Sequence, residues 1–133
     1  MKRREISIET GARDEVVLLR KPIEVELAAL GAGDGLVVLH CPHTTAGLAV
    51  NEGWDPDVLA DFLAALDRVV PWEGHYRHAE GNAAAHVKSV LVGHSVTLPV
   101  EGGRLALGRW QDVYFCEFDG PRARTVELRF LPG

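Results

Sequence analysis

Cysteine is scarce in this chain. Cys41 and Cys116 are the only two in 133 residues. Two are too few for a disulfide framework, and free thiols fit a reducing compartment. Long apolar runs are also missing, since nothing approaches the ~20 consecutive residues that a membrane helix needs. The opening Met1-Lys2-Arg3-Arg4-Glu5 passes directly into an alternating segment, without the apolar stretch of a signal peptide. A cytoplasmic protein with no membrane partner is expected. Nor is there an excess of basic side chains: 14 Lys and Arg stand against 19 Asp and Glu, a net charge of −5. That balance argues against nucleic acid as a partner, because such binding wants a broad basic field. A small local anion pocket is still allowed. No repeat, low-complexity tract or Pro/Ser-rich linker divides the chain, so one domain over residues 1–133 is expected. With 47% apolar and 25% charged residues, it can build one core without staples.

The hydrophobic spacing predicts interleaved strands and helices. Residues 5–10 alternate, with Ile6 and Ile8 on one face, and residues 16–19 form a second short strand. Pro22 suits the first position of a helix whose apolar face is Ile23, Leu27 and Leu30, stopped by Gly31. Residues 36–41 form an apolar strand broken by Pro42, and extended structure resumes at 48–50. Asp55-Pro56 opens the best-marked helix, in which Val58, Leu59, Phe62, Leu63, Leu66 and Val69 follow helical spacing to Pro71. A loop over 71–81 precedes a helix over 82–92 that Gly93 caps. Segments 95–100, 104–107, 110–118 and 125–131 read as strands, the first two joined by a turn at Glu101-Gly102-Gly103. This pattern predicts an α+β fold, with mostly antiparallel sheet packed against about three helices.

Six histidines are unevenly placed. His43-Thr44-Thr45-Ala46-Gly47 follows Pro42 at a strand end, and can offer a metal ligand, hydroxyl donors and free backbone N–H groups to a phosphate-bearing ligand. It can equally be a polar turn whose threonines only satisfy the backbone. His78 lies in the loop before the third helix and His86 on that helix. With His43 they could converge on one divalent metal, most often zinc, although His86 alone could also be an ordinary surface or core residue. Strand alternation sends His40 and Cys41 to opposite faces, which makes Cys41 a small buried hydrophobe. His75 and His94 show no partner pattern. Glu52 is either a group that orients a histidine or a solvated carboxylate. Trp110 and Gln111 open a late strand, with Trp110 expected as a core anchor.

Four segments together resemble the YjbQ family, also called the secondary thiamine-phosphate synthase enzyme family. They are His43-Thr44-Thr45-Ala46-Gly47-Leu48-Ala49-Val50-Asn51-Glu52-Gly53 with Asp55-Pro56-Asp57; His78-Ala79-Glu80-Gly81-Asn82 running to His86-Val87-Lys88-Ser89; Ser95-Val96-Thr97-Leu98-Pro99-Val100; and Gly108-Arg109-Trp110-Gln111. The usual form of the last motif has Thr where this chain has Arg109. The resemblance implies an α+β domain that forms a homotrimer, and a metal site carried onto His43, His78 and His86. It also implies a weak thiamine-phosphate synthase activity, joining a pyrimidine diphosphate to a thiazole phosphate with release of pyrophosphate. Phosphate donors would then be Thr44, Thr45 and Lys88, with Arg109 as an added cation. Glu52 and Glu80 would orient rather than act as strong bases, because the thiazole nitrogen is already nucleophilic. A metal-dependent phosphate-ester hydrolase and a non-catalytic trimeric binding module are the competing readings.

Overall fold

Asp55 begins the second helix as its sequence dictates: its carboxylate accepts from the Asp57 N–H at 2.9 Å, and Pro56 takes the first helical position. In this computed structural model, which describes residues 1–133, that helix (α2, Pro56–Val69) is one of three. The others are α1 (Arg20–Ala29) and α3 (Ala83–Val92). The strands are β1 (Lys2–Glu9), β2 (Glu15–Leu18), β3 (Gly35–His40), β4 (Ala46–Glu52), β5 (Ser95–Glu101), β6 (Arg104–Leu105), β7 (Gln111–Glu117) and β8 (Ala123–Pro132). The fold is α+β with every strand pair antiparallel.

Two sheets form, ordered β1-β8-β3-β5-β6 and β2-β7-β4. Of the late strands, only β5 and β6 pair as neighbours in chain order. The β5–β6 hairpin closes through Gly102 and Gly103, both at positive φ, as its sequence predicts. β7 leaves for the other sheet, and β8 returns to lie between β1 and β3. α1 begins two residues ahead of Pro22, with the first N–H, that of Arg20, held by the Asp112 carboxylate at 2.9 Å.

β7 is buried on both faces, which explains its apolar run. Val113 and Phe115 enter the main core between the sheets, together with Ile23, Leu27, Val37, Leu39 and Leu128. Tyr114, Cys116 and Phe118 face the other way, against Ala85 of α3 and Leu59, Phe62, Leu63 and Leu66 of α2. α3 lies directly on β4: the Ser89 hydroxyl donates to the Ala46 carbonyl at 2.6 Å, and the Leu48 N–H to the Gly93 carbonyl at 3.0 Å. This approach needs Gly47, where a Cβ would sit 2.7 Å from the Gly93 oxygen. No helix is long and apolar enough to cross a membrane.

Candidate functional site: a histidine-lined cleft

The end of β3, the turn after it and the side of α3 that carries His86 and Ser89 line a cleft of about 700 Å³. His40, His43, His86 and His94 all line it, with Thr44, Cys41 and Ser89. His94 reaches the cleft because the Cys41 N–H donates to its carbonyl at 2.8 Å, continuing the β3–β5 pairing by one step. The His40 and His94 rings meet edge to face, with centroids 5.8 Å apart. Neither of these two histidines is among the ligands expected from the sequence. What unites them is a register between strands more than fifty residues apart, which no local pattern reveals.

His43 is the best-anchored of the four. Its Nε2 lies 3.0 Å from both the N–H and the carbonyl of Thr125, so either tautomer finds a backbone partner. Burial lowers its pKa below the ordinary histidine value, and the Arg124 cation lowers it further. The ring is thus held neutral, the state a metal ligand or a proton acceptor requires. His40 is tied to Glu127, with Nδ1 3.4 Å from the carboxylate. That hydrogen bond first, and then Arg3 and Arg129, hold the Glu127 carboxyl below the usual range.

Beneath the His43 turn is a buried ionic network. Arg124 Nε donates to Glu117 at 2.8 Å, and its Nη2 donates to the Thr45 hydroxyl, also at 2.8 Å. Glu117 further accepts from the Thr10 hydroxyl at 2.8 Å and the Asp119 N–H at 3.0 Å. Burial alone would raise the Glu117 carboxyl, but the bonds from Arg124, Asp119 and Thr10 overcome it and leave the pKa lowered. Because Thr125 follows Arg124 directly, this network fixes the backbone that holds the His43 ring.

The other expected site residues fall in different places. His78 lies beside His86, with ring centroids 5.1 Å apart. It belongs to a smaller neighbouring cleft whose wall His86 shares. No three His, Cys, Asp or Glu side chains within one chain form a group that could hold a metal ion. Thr44 lines the main cleft, but the Thr45 hydroxyl is buried and taken by Arg124. Lys88 is corrected outright: it is 1% exposed, and its ammonium is engaged by Asp67 and, at 3.1 Å, by Asp14. Two positions along a helix from His86, it faces inward while His86 faces the cleft. Glu52 is occupied at the start of α2, accepting from the Asp55 N–H at 3.2 Å. Glu80 is exposed, 3.7 Å from His78 Nε2. Arg109 stands apart from the histidine cleft. It lines a different cleft, and Trp110 beside it is half exposed rather than a core anchor. Cys41 is buried as expected; Cys116 is buried as well, and burial pushes its thiol up to about 12.

The comparisons with known proteins agree across nearly the whole chain. The family model described as UPF0047 protein YjbQ-like matches residues 4–133. UPF0047 protein YugU of Bacillus subtilis is 49% identical over 127 residues, covering 95% of this chain and 96% of that one. A UPF0047 protein of Archaeoglobus fulgidus is 41% identical, with 96% of this chain and 99% of that one covered. Among solved structures, a YjbQ/UPF0047-family protein of Clostridium acetobutylicum superposes with a TM-score of 0.93 at 44% identity, covering 96% and 99% of the two chains. Hypothetical protein APE1520 of Aeropyrum pernix superposes with a TM-score of 0.95 at 37% identity over both chains in full.

Proposed function

The chain belongs to the UPF0047 protein YjbQ-like family, and from that premise we propose that its histidine cleft binds a divalent metal ion, zinc in the first instance, and with it the phosphate end of a small substrate. The observation that carries this reading is four histidines on one cleft, with His78 against His86. His43 has the features of a ligand, being neutral and oriented through its far nitrogen by the backbone. His86 and His78 are the partners proposed for it. One chain assembles no complete ligand group, so a second copy would complete the site, in the homotrimer that the resemblance implies. Bound there, the ion would supply positive charge to phosphate or pyrophosphate oxygens.

The chain's own residues then have limited tasks. The Thr44 hydroxyl and neighbouring backbone N–H groups hold the anion, and Glu80 orients His78. No side chain on the cleft is an evident strong base. That suits a thiamine-phosphate synthase reaction, in which the attacking thiazole nitrogen needs no deprotonation and the demand is stabilisation of departing pyrophosphate.

The test is metal analysis of the purified protein, zinc titration by calorimetry, light scattering, and turnover with the pyrimidine diphosphate and thiazole phosphate. The expected result is stoichiometric zinc, a trimeric mass, and a carbon–nitrogen product lost in His43→Ala and His86→Ala. Absence of zinc binding at micromolar concentration overturns the metal assignment, and a monomeric mass overturns the shared site. Water-dependent turnover of a single phosphate ester would replace the synthase reading with a hydrolase. Retention of ligand without turnover would replace it with a binding module.

A further inference from the structure

A second cleft, of about 690 Å³, opens between the start of α1, the turn after β4 and the turn before β7. Its size falls within the ordinary range for small-molecule sites, and its chemistry is unlike that of the histidine cleft. Arg20, Lys21, Arg104 and Arg109 line it, against only two carboxylates, Glu24 and Asp112. In a chain of net charge −5, this is a local inversion of sign. The carboxylates are already engaged. Glu24 accepts from the Leu105 N–H at 3.0 Å and lies 3.7 Å from both Arg20 and Arg104. Asp112 accepts from the N–H groups of Arg20 and Val113. Lys21 and Arg109 form no ion pair in this arrangement.

Two tryptophans stand in the same cleft. Trp54 is 78% exposed and Trp110 48% exposed, with ring centroids 5.8 Å apart and planes inclined at 68°. The Arg109 guanidinium lies over the Trp110 ring, 4.8 Å from its centroid. Trp110 therefore holds Arg109 by a cation–π contact, and Trp54 is left with most of its indole open. Exposing so much tryptophan forgoes a large burial gain.

The two turns are built stiffly. The Gly108 N–H donates to Gln111 Oε1 at 2.8 Å, and the Gln111 N–H donates back to the Gly108 carbonyl at 3.0 Å. The Gly53 N–H donates to the Trp110 carbonyl at 3.0 Å, stapling one turn to the other. Gly53 permits this approach, since a Cβ there would meet the Asp112 Cβ at 2.4 Å. Arg109 and the open Trp54 indole are thus set in advance on interlocked turns, with Lys21 beside them in the first turn of α1, which lowers the ordering cost of binding.

We infer that this cleft is a binding site for a phosphorylated planar heterocycle, with Trp54 stacking on the ring and Arg109 and Lys21 receiving the phosphate. Stacking on an exposed aromatic is tolerant of which ring it meets, and a guanidinium forms paired bonds to phosphate oxygens. This assignment stands independently of the metal reading, because none of its residues lines the histidine cleft.

Calorimetric titration of the full chain with AMP and UMP tests it, alongside adenosine and uridine. At least one phosphorylated compound is expected to bind with a Kd below about 1 mM, and its unphosphorylated counterpart at least about tenfold more weakly. Arg109→Ala and Trp54→Ala should each weaken binding by at least about tenfold, while His86→Ala leaves it unchanged. Both substituted side chains are exposed, and circular dichroism verifies that the variants fold. Absence of binding by both phosphorylated compounds overturns the assignment. So does binding that survives Arg109→Ala but is lost in His86→Ala, which would move the ligand to the histidine cleft. If Trp54→Ala lowers the oligomeric mass without weakening the ligand, the cleft is a contact between copies and the assignment falls.

Discussion

Replacing Arg124 with methionine should expose how much the buried network under the His43 turn contributes. In the native chain the guanidinium makes two bonds to Glu117 and one each to the hydroxyl and carbonyl of Thr45. Arg124→Met removes all of them and leaves Glu117, which is 0% exposed, with the Thr10 hydroxyl and Asp119 N–H as partners. Breaking a buried pair from one side costs about 3–5 kcal/mol. The two surviving donors place this case near the lower end, about 3 kcal/mol. For a domain of this size that corresponds to a fall in Tm of roughly 10 °C. The sign of the pH effect follows from which charge remains. Without Arg124, burial dominates at Glu117 and raises its folded-state pKa above the unfolded value. A stranded carboxylate can take up a proton, so the penalty at pH 7.5 should shrink at pH 5. In Glu117→Gln the stranded group is an arginine, which cannot discharge, and its penalty should not shrink. Urea denaturation of both variants at the two pH values reads this directly. Glu117→Leu with Arg124→Met should recover most of the loss, because neither charge is left unpaired. A penalty for Arg124→Met below about 1 kcal/mol, equal penalties at both pH values, or no recovery in the double variant would refute the reasoning.

Two further outcomes are expected. Lys88→Met should lower stability by about 1.5–3 kcal/mol, the range for hydrogen bonds to a charged group, because Asp14 and Asp67 lose a shared buried cation. It should leave affinity for pyrophosphate unchanged, and a calorimetric loss of that affinity would return Lys88 to the site. His43 has a lowered pKa, so both states are neutral well above pH 6.5. As pH falls through the unfolded value, only the unfolded chain takes up the proton, and native stability declines. His43→Asn lacks this component, so its stability deficit relative to wild type should narrow between pH 7.5 and 5.5. A constant deficit in urea midpoints would refute the assignment of a neutral, resisting His43.

Local chemistry determined a good deal of this protein from its sequence. The Asp55-Pro56 start of α2, the glycine turn of the β5–β6 hairpin, and the α+β class are all written in short-range patterns. These features depend on φ preferences and on donors within a few residues, which a linear reading contains. The motifs around His43, His78 and Gly108 likewise identified the family from residues alone. Tertiary structure decided how those motifs are grouped. His40 and His94 joined His43 and His86 through strand register and the packing of α3 on β4. Lys88 left the site because Asp14 and Asp67, distant in sequence, offer it a buried partner in α3's inward direction. Arg109 and Trp110 were drawn to another cleft by the staple from Gly53 to the Trp110 carbonyl. Long charged side chains find their partners through the fold, at contacts whose sequence separation carries no periodic mark.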